Sequence, residues 1–162
     1  MKAVEIQHDD PLAVAIVSAI RQGDVDGVGS LVREHAGLAG ARIRDAKDGT
    51  RSLLHVVTDW PGYFPAGPQI VRLLIDAGAD PNAAVTGSWH AETPLHWAAS
   101  SDDSEAAVAL IDGGADIEAP GASIAGGTPL DDAVATAAGT WRACWSSAAP
   151  GWKASGTPQP WG

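Results

Sequence analysis

Cysteine is all but missing: the chain has one, Cys144, among 162 residues. No disulfide can form within the chain, and zinc sites built on several thiolates are excluded. Phe, Tyr and Met also occur once each, so aliphatic side chains and alanine must build the core. Positive charge is scarce. Ten Lys and Arg face twenty Asp and Glu, a formal net charge of −10. Binding to nucleic acid rests on neutralised phosphates, and an anionic membrane surface attracts basic segments, so neither partner is expected. Long apolar runs are lacking too. The run Leu12 to Ile20 is too short to span a bilayer, and Asp9 and Asp10 precede it where a secretory signal carries positive charge. A cytoplasmic location is the expectation.

Apolar residues still make up 45% of the chain, enough for a packed core of about one domain. They are organised as an internal repeat. Ser52-Leu53-Leu54-His55-Val56-Val57-Thr58 answers to Thr93-Pro94-Leu95-His96-Trp97-Ala98-Ala99 and to Thr128-Pro129-Leu130-Asp131-Asp132-Ala133-Val134. The key leucines are 41 and 35 residues apart. A second motif keeps step. Val71 to Ala83 matches Val108 to Ala119, with Gly78-Ala79-Asp80 and Gly114-Ala115-Asp116 spaced by 36 residues.

One copy can be read physically. Thr93 suits an N-cap and Pro94 the first helical position, where its missing N–H costs nothing. Leu95, Ala98 and Ala99 form a short apolar stripe at helical spacing, and the small alanines let two helices approach closely. A second helix is expected from about Ser104 to Ile111. Gly113 and Gly114 end it, and the chain then turns out toward the next copy. Neither helix is long enough to persist alone, so neighbours must bury them.

Thr-Pro-Leu-His with Ala-Ala, then apolar-Leu-apolar, then Gly-Ala-Asp and Asn-Ala, resembles the ankyrin repeat family. The resemblance implies an all-α solenoid of stacked helix-turn-helix repeats with projecting turns, over residues 12–134. A stretch at 1–11 precedes it as an N-terminal extension. A capping unit falls at about 12–43, a second unit at 44–83, a third at 84–119 and a partial fourth at 120–134. The motif residues are Leu54, His55, Gly78, Thr93, Pro94, Leu95, His96, Gly114, Thr128, Pro129 and Leu130. In such repeats the motif histidine hydrogen-bonds the turn. Two loops depart from the pattern. Asp59 to Pro68 inserts about five residues between the helices of the second unit and carries Tyr63 and Phe64. Val85 to Glu92 is longer by about three and carries Trp89 and His90. Their aromatics are either binding anchors or covers folded over the helix ends.

Composition breaks after Val134. Residues 135–162 hold no Leu, Ile, Val, Asp or Glu, but four Trp (Trp141, Trp145, Trp152 and Trp161) among Gly, Pro, Ser and Ala. An irregular tail is expected. Regrouping the codons from Ala135 by one base explains the break. Cys144-Trp145 forces a Leu in the shifted frame and Trp152-Lys153 forces a Glu. The shifted reading allows VARLLVERGA, which mirrors Ile70 to Ala79. A one-base shift near codon 135 would thus have replaced the rest of a repeat array; a genuine Trp-rich interaction tail is the alternative. Either way the fourth unit lacks its second helix. Several hundred Å2 of uncovered apolar face would cost several kcal/mol at about 25 cal/mol per Å2. Fraying and self-association through the uncapped C-terminal repeat are expected.

Signals for chemistry are weak. His90-Ala91-Glu92 has the H-x-E form of a zinc deaminase but lacks the paired thiolates downstream. Gly121 to Ala125 misses the nucleophile elbow, and no strand precedes it. The Gly23 to Gly29 stretch lacks the Lys-Ser/Thr of a phosphate loop. Asp102-Asp103 suits a helix cap, and Asp132 reads as a solvated surface residue. No cofactor and no metal site is expected.

The resemblance implies a protein-interaction module without catalysis. Its concave face is made by the turns and first helices. The variable turn positions fall at Arg51, Trp89, His90 and Glu92, and those after the first helix at Asp59, Trp60, Ser100 and Ser101. A protein partner with a basic surface fits the acidic balance. The alternative is a small metal-binding protein or enzyme using His90 and Glu92 on a helical scaffold.

Overall fold

The computed structural model describes residues 4–123 and 126–136. It is mostly helical. Helix α1 (Pro11–Gln22) packs on α2 (Val25–Glu34), α3 (Leu53–Val57) on α4 (Gly67–Asp76), and α5 (Pro94–Ser100) on α6 (Ser104–Asp112). A last described helix, α7 (Pro129–Ala135), packs on α5. Contacts between pairs are regular. First helices touch first helices (α1 to α3, α3 to α5, α5 to α7), and second helices touch second helices (α2 to α4, α4 to α6).

The caps explain where the helices begin and end. Asp10 accepts from the Leu12 N–H at 2.8 Å, with Pro11 opening α1. Asp24 accepts from Gly27 and Asp103 from Ala106 at the starts of α2 and α6. Each satisfies a donor the helix cannot pair internally. Gly23 closes α1 at φ +72°, and a Cβ there would lie 2.5 Å from the Pro65 carbonyl oxygen. Only glycine fits that turn. Gly78 and Gly114 take φ +100° and +93° after α4 and α6.

The helices are short, so the core holds them. Ile16, Ile20, Val28, Leu53, Leu54, Ile70, Leu74, Leu95 and Leu110 are wholly buried in one continuous cluster. Burying such a side chain is worth about 2 kcal/mol. Ala98, Ala99, Ala107 and Ala109 fill the cluster between α5 and α6, where larger side chains would hold the backbones apart.

The all-α expectation needs correction. Strands β1 (Glu5–Gln7), β2 (Arg42–Arg44) and β3 (Thr50–Ser52) form a small sheet in that order. β1 runs parallel to β2, and β2 antiparallel to β3. Thr50 and Thr86 extend the pairing, each donating its N–H to the other's carbonyl at 2.9 and 3.0 Å. The physical reason is the backbone of the projecting turns. Their extended N–H and C=O groups lie side by side, and groups shielded from water must pair. Residues 5–7, ahead of α1, thereby dock on β2.

Candidate functional site

Two motif histidines order the face made by the first helices. At His55, the Ser52 N–H donates to Nδ1 at 3.2 Å, with the Ser52 hydroxyl 2.8 Å away. Nε2 therefore carries the proton and donates to the Glu92 carbonyl at 3.1 Å. His96 repeats this. Thr93 N–H and hydroxyl meet Nδ1 at 3.1 and 2.9 Å, and Nε2 faces the Gly127 carbonyl at 3.4 Å. Each ring closes its own turn with one nitrogen and reaches the next turn with the other. Burial holds both rings neutral: His55 is pushed down to about 3, and His96 is lowered too.

Asp131 stands third in this series. Its Oδ2 accepts from the Thr128 N–H at 2.7 Å and hydroxyl at 3.0 Å, so the turn before α7 is closed in the same way. A carboxylate has no donor to send onward. Of the remaining motif residues, Leu54 and Leu95 are wholly buried, Pro94 and Pro129 buried, and Leu130 half-buried. Asn82 adds a second link. It donates to the Gly114 carbonyl at 3.1 Å and accepts from the Asp116 N–H at 2.7 Å.

The residues expected to vary between copies fall into two neighbouring clusters. Asp59 sits between Arg21 and Arg51, with Oδ2 at 3.3 and 3.4 Å from their guanidinium groups. His90 lies 3.4 Å from Glu92, and the Trp89 and His90 rings meet edge to face at 5.2 Å. Ser100 and Ser101 hydroxyls donate to the carbonyls of Trp97 and Thr58. Trp60 and Trp89 are 79% and 81% exposed. Tyr63, in the same loop as Trp60, is 54% exposed but tied down. Its N–H donates to Asp103 at 2.6 Å and its hydroxyl to the Asp102 carbonyl, tying the insert over the turn between α5 and α6. So one loop supplies both an exposed aromatic and a cover.

A cleft of about 230 Å3 opens at the ends of α3, α5 and α7. Asp59, Trp60, Glu92, Ser100 and Ser101 line it, joined by Asp132 and by residues that sequence reasoning did not single out: Thr58, Trp97, Ser123 and Thr136. Trp97 donates its indole N–H to Glu92 at 2.9 Å and meets the His55 ring edge to face at 4.9 Å. Its signal was the bulky residue in place of Val56 of the copy before it. Asp132 is buried, not the solvated surface residue its sequence suggests, and burial raises its carboxyl to about 6 with Glu92 and Asp131 adding repulsion. The change of environment comes from α5, which covers that face of α7.

His90 and Glu92 are the only pair of the expected metal donors that meet here, and among the described residues no group of three or more His, Cys, Asp or Glu could hold an ion. Among the same residues no helix is long and apolar enough to cross a membrane. The Trp-rich segment and its shifted-frame reading lie outside the described residues.

Residues 91–122 match the family model described as Ankyrin repeat. No curated protein matches the chain. The matched span takes in α5, α6, the His96 turn and the Gly-Ala-Asp turn. The chain thus carries one ankyrin repeat, at residues 91–122.

Proposed function

We propose that residues 12–134 form a short ankyrin-type solenoid that binds a protein partner and performs no catalysis. The contact surface is the face of α3, α5 and α7 together with the projecting turns. Ankyrin repeats generally serve as protein–protein interaction modules. The observation that carries the assignment to this face is the exposure of Trp60 and Trp89, two large aromatics on loops at the ends of first helices. Aromatic side chains held by a rigid scaffold are the common anchors of protein interfaces. Arg51, Asp59, His90, Glu92, Ser100 and Ser101 supply the polar surround. The net charge of −10 favours a partner with a basic surface, because opposite charge speeds encounter.

Photo-cross-linking tests this. A benzophenone side chain is placed at position 60, 89 or 72 of the full chain in native cells; Arg72 is exposed on α4. Adducts with a defined protein from positions 60 and 89, and none from 72, are expected. Adducts from position 72 alone, or none at any position, would overturn the assignment.

A further inference from the structure

One carboxylate of the cleft has no ion-pair partner among the described residues. Asp132 is 3% exposed, and its Oδ2 has no hydrogen-bond partner among the described residues. The other two carboxylates are occupied. Asp59 is held by Arg21 and Arg51, and its Oδ1 accepts from the Trp60 N–H at 2.9 Å. Glu92 accepts from the Trp97 indole at 2.9 Å and from the Ser123 N–H at 2.8 Å. Both donors to Glu92 are neutral, and the His90 ring lies 3.4 Å from its Oε2. The inner cleft thus gathers two carboxylates, Glu92 and Asp132, and among the described residues neither is paired with a Lys or Arg.

Keeping a buried carboxylate ionised is costly unless something donates to it. Three features of the cleft narrow the donor. Its volume of about 230 Å3 lies below the roughly 300–1,000 Å3 of small-molecule sites, which suits one side chain. The exposed indole of Trp60 forms a wall, and an indole face attracts a flat cation. The described residues offer no third ligand for a metal ion. A guanidinium meets all of these: it is planar, permanently charged, rich in donors and stacks on indoles.

We propose that this cleft receives one arginine side chain of the protein partner, with the guanidinium donating to Asp132 and lying against Trp60. The proposal rests on the interaction reading above and specifies what that surface selects.

An NMR titration of the full 15N-labelled chain with N-acetyl-arginine methylamide tests it. The Trp97 indole N–H and the Ser123 amide report, since both bond Glu92. N-acetyl-citrulline methylamide, of the same shape without charge, is the control. Saturable shifts at millimolar arginine are expected, with none from citrulline. Asp132→Asn, which keeps the side chain's size, is expected to weaken binding at least fivefold, and Trp60→Ala to weaken it about threefold without unfolding the chain. Equal shifts from citrulline, no saturable shift from arginine, or unchanged affinity in Asp132→Asn would overturn the proposal. A partner that cross-links through position 60 equally well in the Asp132→Asn chain would do the same, and would leave the interaction reading standing.

Discussion

The turn at His55 and the turn at His96 are built from the same motif, yet they are not equally secured. Both rings are wholly buried, but the outward bond of His55 to the next turn is 3.1 Å and the Trp97 edge covers its ring at 4.9 Å. The equivalent bond of His96 is 3.4 Å, and among the described residues no aromatic ring stacks on it. Asp131 completes the comparison. It closes its own turn as the histidines do but has no donor to extend. The near-side acceptor is therefore a local cap, and the far-side N–H is what joins one copy to the next. The His55 link also ends on Glu92, whose carboxylate lines the cleft, so a buried scaffold bond helps to place a surface group.

The largest expected effect follows from removing each ring. His55→Ala leaves the Ser52 N–H unpaired in a dry environment, removes one of the two donors to the Glu92 carbonyl (the Val85 N–H remains, at 2.9 Å), and opens a cavity beside Trp97. A loss of about 3–4 kcal/mol is expected in urea unfolding, against about 2 kcal/mol for His96→Ala. Equal losses would erase the distinction between the two turns.

Acid sharpens the comparison next. A ring held at about 3 in the folded chain and near 6.5 when unfolded adds stability that is complete above pH 6.5. That stability is lost as pH falls toward 3, at up to about 1.4 kcal/mol per pH unit. His96, also lowered, acts with the same sign. Asp132 opposes them. Its carboxyl is raised to about 6, so its contribution is most favourable below the unfolded value near 3.8 and is lost as pH rises through 6. Urea midpoints between pH 7 and pH 4 are expected to fall. His55→Gln should flatten that decline. Asp132→Asn should raise stability at pH 7 by about 1–2 kcal/mol and steepen the decline. An unchanged profile in His55→Gln would show that the ring does not titrate on unfolding.

The smallest effect is expected at the third turn. Asp131→Ala removes only the cap of α7, about 1 kcal/mol, and leaves α3 to α6 unchanged. Circular dichroism and urea unfolding check both parts. A loss as large as that of His96→Ala would mean that the carboxylate does more than close its own turn.

Much of this molecule is legible in the sequence because its signals are local. Thr93-Pro94 and Thr128-Pro129 announce helix starts. Asp103 announces a cap, and Gly78 and Gly114 announce left-handed turns. The second helix expected near Ser104 to Ile111 is observed at Ser104–Asp112. The sheet is not legible. Its strands are three residues each, too short to show alternation, and residues 5–7 find partners more than thirty positions away. The cleft is half legible. Asp59, Trp60, Glu92, Ser100 and Ser101 come from the repeat register. Asp132 escapes because its burial is set by another helix rather than by its neighbours in sequence. Trp97 was visible as a large residue at a small-residue position, but its partners, His55 and Glu92, lie in different turns.

Native-state hydrogen exchange in the His55→Ala chain tests most directly whether successive copies hold one another. If the ring joins its turn to the next, amides of α5 should lose protection together with those of α3, although position 55 lies outside α5. Loss confined to α3, with α5 as protected as in the unaltered chain, would contradict that coupling.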